Sequence, residues 1–250
     1  MPKLYKKDDF KDNCGFGLIA NINGISSRKI VTDSIKALVS MTHRGGIGSD
    51  GKTGDGCGLL VDIDKDFYKE ALFKEQKIKL PDRYAIGQMF LYSNINELLP
   101  KIKNILKSEN LELITFREVP INKKVLGKIA LHYLPNIYQI FISPNNQNDD
   151  EKDFQTSLLQ ARKFIEEIYL NDERLYFCSL SSKTIIYKGL MLPNDINNFY
   201  IDLKSKEFKS SISVFHQRFS TNTSPRWHLA QPFRYLAHNG EINAIRGNRN

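Results

Sequence analysis

Three cysteines in 250 residues are too few, and too unevenly spread, to organise this chain. Cys14, Cys57 and Cys178 lack metal-type spacing and are odd in number, so neither a zinc site nor a complete disulfide framework is encoded. No apolar run approaches the roughly 20 residues that a membrane-spanning helix needs. Residues 1–13, MPKLYKKDDFKDN, have no unbroken apolar core of the kind a secretory signal carries. Internal repeats and low-complexity segments are also missing. The expectation is a soluble, cytoplasmic protein kept reduced, with no membrane partner.

A net charge of +8 raises the question of nucleic acid. The basic residues argue against it: Lys101, Lys103 and Lys107 are scattered along one helix-like stretch, and Lys123-Lys124 is only a pair. No basic run interleaved with aromatics appears, so no nucleic-acid partner is expected. His216, His228 and His238 lie close in sequence but lack ligand spacing and carboxylate company. They read as structural histidines, and no metal site is assigned. What remains is a composition ordinary for a globular protein, 41% hydrophobic and 26% charged, and a length that suits one large domain.

Periodicity predicts a strand over 15–22, a turn at Asn23-Gly24, and a helix over about 28–42 capped by Ser26 or Ser27. That helix carries an apolar face of Ile30, Val31, Ile35, Leu38, Val39 and Met41. A glycine-rich loop, Gly45 to Gly58, leads into a strand at Leu59–Val61. Extended segments follow at Ala85–Tyr92, Leu113–Val119, Tyr138–Ser143 and Leu175–Tyr187. Helices are expected over 95–108 and 151–170, with a polar loop from Asn145 to Asp153. Clustered strands at hairpin-like spacing favour an α+β fold over a doubly wound sheet. Cys178, within Leu175–Leu180, reads as a buried apolar thiol.

The chemistry concentrates at the two ends. Cys14 opens the first strand after a short charged leader, flanked by Gly15 and Gly17, which allow another backbone or a substrate to approach closely. A cysteine beside glycines is most simply a small core residue. If the chain were cut after Asn13, however, Cys14 would carry both a thiol nucleophile and a free amine. An α-amino group titrates at roughly 7.7–8.0, so it can accept the thiol proton near neutral pH. The loop His43-Arg44-Gly45-Gly46 is neither a P-loop nor a dinucleotide fingerprint and precedes a strand. It reads as a structural turn that brings Arg44 near the nucleophile. Arg218 offers the planar fork suited to a carboxylate. Asn239 and Gly240 can supply a side-chain and a backbone donor to an oxyanion, although Asn-Gly is also the commonest hairpin turn.

Taken together, Cys14-Gly15-Phe16-Gly17, His43-Arg44-Gly45-Gly46, Thr53-Gly54-Asp55-Gly56, Arg218-Phe219-Ser220-Thr221-Asn222-Thr223 and His238-Asn239-Gly240-Glu241 resemble the class II glutamine amidotransferases. Phe219 and Asn222 favour the glutamate synthase branch, where relatives serving other acceptors have a motif closer to Arg-Trp-x-Thr-His. The resemblance covers essentially the whole chain. It implies a four-layer αββα N-terminal-nucleophile sandwich, a removed propeptide of residues 1–13, and an amidotransferase domain over 14–250 that continues beyond Asn250. Carried over, it makes Cys14 the nucleophile, Arg218 the clamp on the α-carboxylate of L-glutamine, and Asn239 with Gly240 the oxyanion hole. Arg44 matches a family arginine near the new amino terminus. For the full-length enzyme it implies FMN, a 3Fe-4S cluster, and ammonia delivered to synthase domains of the same chain. It also implies a partner, either a small FAD-containing, NADPH-oxidising subunit or ferredoxin. Cys57 stands where the family has a small residue and adds an oxidisable thiol near the site. An amidotransferase serving another acceptor, or a silent module that keeps the fold, are the alternatives.

Overall fold

The computed structural model describes residues 15–168, 174–217 and 224–235. The elements are β1 (Phe16–Ala20), α1 (Arg28–Ser40), β2 (Cys57–Asp62), α2 (Lys65–Gln76), β3 (Ala85–Leu91), α3 (Ile95–Ser108), β4 (Leu111–Glu118) and α4 (Lys128–His132). They continue with β5 (Asn136–Pro144), α5 (Glu151–Ile168), β6 (Leu175–Ser181), β7 (Thr184–Gly189), α6 (Ile196–Phe199), α7 (Ile201–Lys204) and β8 (Ile212–Gln217). The strands form two four-stranded antiparallel sheets, ordered β1-β8-β2-β7 and β4-β5-β3-β6. This is the α+β arrangement that the clustered strands predict.

Burial explains the pairing. Leu59 of β2 sits between Phe215 of β8 and Tyr187 of β7, and all three join Ile86, Phe90 and Phe141 of the second sheet in one shared core. The opposite face of the second sheet packs Met89, Ile140 and Phe177 against Leu98, Ile102 and Leu106 of α3 and Phe154, Leu158 and Ile165 of α5. Because both its faces are covered, every residue of β3 is buried, and its sequence AIGQMFL reads as a near-continuous apolar run.

α1 follows its forecast closely. Ser27 caps it by accepting from Ile30 N, and Ile30, Val31, Ile35 and Leu38 are buried. The helix stops at Ser40, and a 3₁₀ turn over Thr42–Arg44 takes the chain into the glycine loop. The extended run 175–187 proves to be two strands in different sheets. The chain crosses between the sheets at Ser182-Lys183, where Ser181 Oγ accepts from Lys183 N and Thr184 N. α5 begins at Glu151, where the helix over 151–170 is expected, so the polar loop is shorter than Asn145–Asp153. The sequence reading assigned neither α2 nor β8.

One charged knot lies in the shared core. Arg117 of β4 is hydrogen-bonded to Asp202 of α7 and, at 3.2 Å, to Glu75 of α2. Tyr187 donates to Asp202 at 3.1 Å, and the Tyr68 and Tyr187 hydroxyls bond each other.

Candidate active site

Four strand ends meet at one rim of the first sheet. Gln217 N donates to Gly15 O at 2.6 Å, and Phe16 lies opposite His216 with their rings stacked 6.5 Å apart. Cys57, the first residue of β2, pairs with both Gln217 and Gly189. The start of β1, the end of β8, the start of β2 and the end of β7 therefore share one edge.

The glycine loop folds back onto this rim. A Cβ on Gly45 would meet Gln217 Nε2 at 1.9 Å and Asp55 Oδ1 at 2.9 Å, so any larger residue would have to displace both side-chain ends. Arg44, immediately before it, is half-buried, and its Nε is enclosed without a hydrogen-bond partner among the described residues. Asp50 organises the loop. Its carboxylate accepts from Thr53 Oγ1 at 2.7 Å, Thr53 N at 2.8 Å, Lys52 N at 3.1 Å and Ile129 N at 2.9 Å. These bonds, the Thr53 hydroxyl first, hold the Asp50 carboxyl far below the usual carboxylate range. Besides Lys52 and Thr53, three of the loop's N–H groups are used internally, Gly48 N to Thr53 O at 2.7 Å, Gly51 N to Gly48 O at 2.9 Å and Asp55 N to Gly46 O at 3.1 Å. This supports the reading of a structural turn and leaves little of a phosphate cradle.

The segment 224–235 closes over the same rim. Trp227 is buried and donates to Ala130 O at 3.1 Å. Gln231 O lies where a Cβ on Gly58 would come within 2.5 Å, so the segment touches the backbone of β2 directly. Arg234 donates to Phe177 O and pairs with Glu166 at 3.4 Å.

Of the residues picked out from sequence, Arg44 stands at the rim. Cys14, Arg218, Asn239 and Gly240 lie outside the described residues, as do His238 and residues 1–13. Gly15 and Gln217, the chain neighbours of Cys14 and Arg218, are in direct contact. Cys57 corrects an expectation. It is fully buried, its thiol donates to Met191 O at 3.3 Å, and burial raises its pKa well above the ordinary thiol range. A thiol so held is a poor thiolate and therefore resists oxidation rather than inviting it. Cys178 is the buried thiol that was foreseen, pushed up to about 12 by burial. His216 is buried against Phe16, and His228 packs on Tyr176 at 5.6 Å.

Two buried polar side chains at this rim, Gln217 and Lys188, escaped the sequence reading. Gln217 is inaccessible, and neither its amide oxygen nor its nitrogen has a hydrogen-bond partner among the described residues. Lys188 of β7 is likewise inaccessible. Their adjacency to Arg218 and to the end of a strand gave the only signals available beforehand.

Comparison with known proteins bears directly on this rim. The family model for glutamine amidotransferases class-II matches residues 14–250. Ferredoxin-dependent glutamate synthase 1 of Arabidopsis thaliana is 42% identical over 245 residues, which is 95% of this chain and 15% of the relative. Glutamate synthase [NADPH] large chain of Bacillus subtilis is 39% identical over 259 residues, 100% of this chain and 17% of the relative. Glutamate synthase [NADH] of Saccharomyces cerevisiae is 40% identical over 263 residues, 99% of this chain and 12% of the relative. The chain thus spans less than a fifth of the length of these relatives. The family match begins at Cys14, whose neighbour Gly15 anchors the rim, and takes in every other segment that builds it. On that agreement of sequence and geometry, the chain belongs to the class II glutamine amidotransferases.

Proposed function

We propose that this chain is the glutamine-hydrolysing domain of a glutamate synthase large chain, folded as a four-layer αββα N-terminal-nucleophile sandwich over 14–250. The observation that carries this reading is the contact of Gly15 with Gln217 beneath Gly45, because it gathers the neighbours of Cys14, Arg218 and Arg44 at one sheet rim.

In this mechanism residues 1–13 are removed and the Cys14 amine accepts the proton of its own thiol. The thiolate attacks the side-chain amide carbon of L-glutamine, and the carbonyl oxygen takes up negative charge. The Asn239 amide and the Gly240 N–H stabilise that oxyanion. The protonated amine then gives its proton to the departing nitrogen, which leaves as ammonia. Water hydrolyses the resulting thioester to glutamate and restores the thiol. Arg218 grips the substrate α-carboxylate through two parallel hydrogen bonds, and Arg44 lies beside the new amino terminus.

In the full-length enzyme the ammonia would be consumed with 2-oxoglutarate to make a second glutamate in the synthase domains. The names of the relatives offer ferredoxin, NADPH and NADH as sources of electrons. The flavin would supply the reducing step there, beside an iron–sulfur cluster. The two described cysteines do not fit cluster ligation, since both are sealed in the core. Among the described residues no helix is long and apolar enough to cross a membrane, and we place the protein in the cytoplasm.

The test is Asn239→Ala in the full-length enzyme, together with the intact mass of the native protein. The mass should correspond to a chain beginning at Cys14. Loss of one oxyanion donor should reduce glutamine turnover by roughly 10²–10³-fold, while activity with added free ammonia survives. A fully active enzyme retaining residues 1–13, or an Asn239→Ala enzyme within a few-fold of wild type, would defeat the mechanism.

A further inference from the structure

Lys188 is a buried cation that the mechanism above does not use. It lies on β7 one residue before Gly189 at the rim, with none of its surface exposed. Its amine donates to His228 O at 2.8 Å and to Tyr176 Oη at 3.1 Å. It also stands 4.7 Å from the ring centroids of both Tyr176 and Phe233. Among the described residues no carboxylate forms an ion pair with it. The titratable or charged groups around it are Tyr176 and Cys178 of β6 and Arg234 of the closing segment. A buried charge without a counter-ion is unfavourable, and methionine would fill the same space without that cost. What lysine adds is a directed hold on one carbonyl and two ring faces.

Two of those contacts, His228 and Phe233, belong to the 224–235 segment and flank Gln231, the residue seated against Gly58. Asn239 follows Tyr235 by four residues in the chain. We propose that Lys188 is a positioning residue for the oxyanion pair Asn239–Gly240, holding the segment at His228 and Phe233 so that the chain enters residues 236–240 from a fixed point. The inference rests on the glutaminase reading. Arg218 is reached from β8 rather than from this segment, so slackening the hold misplaces the oxyanion donors without releasing the substrate carboxylate. A displacement of about 1 Å can cost on the order of 10²-fold in rate.

The experiment compares Lys188→Met, Lys188→Arg, Phe233→Leu and Cys14→Ala in the full-length enzyme, with glutamine and with free ammonia as nitrogen source. Lys188→Met should lower glutamine-dependent kcat by about 10-fold or more, with KM within about threefold and the ammonia-dependent rate unchanged. Lys188→Arg, which keeps charge and donors, should recover part of kcat. Phe233→Leu keeps both hydrogen bonds and should show the same split at smaller size, deciding the matter if Lys188→Met fails to fold. Wild-type kcat in either variant, or equal losses with glutamine and ammonia, would overturn the positioning role. Glutamine turnover retained in Cys14→Ala would instead sink the glutaminase reading itself.

Discussion

Two of the buried cations among the described residues, Arg117 and Lys188, are held in opposite ways. Arg117 has a carboxylate on each side, Asp202 within the core and Glu75 at its edge, with the Tyr68 ring 5.7 Å away. Burial is the largest single influence and works against its charge, but Asp202, Tyr68, Tyr187 and Glu75 together outweigh it, and its pKa rises above the ordinary arginine value. Among the described residues Lys188 has only a carbonyl, a hydroxyl and two ring faces, and burial drives its pKa down to about 7. The first arrangement is a fixed joint, tying β4 to α2 and α7. The second is adjustable and sits beside the segment that closes over the candidate rim. Permanent charge serves the scaffold; charge near its titration point lies next to the candidate site.

The sharpest way to break the comparison is at Asp202. Asp202→Ala leaves the Arg117 guanidinium uncompensated in the core and should cost about 3–5 kcal/mol in urea unfolding. Arg117→Met combined with Asp202→Leu should recover most of that loss, because the knot's benefit over packed apolar side chains is small. If the single substitution costs under 1 kcal/mol, Arg117 is not the fixed joint described.

A smaller effect is expected on the other side. A Cβ on Gly58 would press on Gln231 O at 2.5 Å and Lys188 Cβ at 2.6 Å, so main chain must shift. Gly58→Ala should destabilise by about 1–3 kcal/mol and reduce glutamine turnover, leaving the Arg117 knot intact. Wild-type stability and turnover would show that the closing segment accommodates the methyl group.

The finest distinction is in the pH dependence of stability. Folded Lys188 loses its proton near pH 7, whereas the unfolded chain holds it to about 10.5. Across that window the unfolded state binds more protons, so stability rises with pH, and the penalty is complete below pH 7. The contribution is at most about 1.4 kcal/mol per pH unit. Unfolding free energies from about pH 7 to about pH 9 should climb in wild type relative to Lys188→Met. Parallel profiles would mean that Lys188 keeps an ordinary lysine pKa, and the contrast with Arg117 would disappear.

Much of the scaffold was legible in the sequence for a local reason. α1 and α3 announce themselves by N-caps at Ser27 and Asn94 and by regular apolar faces. α2 did not, because only Tyr68 and Leu72 of its twelve residues are fully buried, while Phe73 faces solvent and blurs the period. β8 was read as motif rather than strand, since His216 and Gln217 are polar yet wholly interior. The division of 175–187 between two sheets depends on tertiary pairing that no local signal encodes. At the candidate site, Arg44 could be named because its glycines and charge are visible in sequence. Lys188 and Gln217 could not, because an isolated lysine or glutamine in a strand looks like a solvent-facing residue until its surroundings are known.

The pairing of β1 with β8 also constrains how the chain is made. Phe16 and His216 are opposite one another although 200 positions separate them, and β8 is the only described neighbour of β1. At roughly 5–20 residues per second, the ribosome needs about 10–40 s to deliver the partner strand after β1 has emerged. Throughout that interval β1 has no mate among the described strands, and the rim that it shares with β8, β2 and β7 is unbuilt. This edge of the first sheet is therefore completed only after β8 has emerged, however early the intervening elements fold.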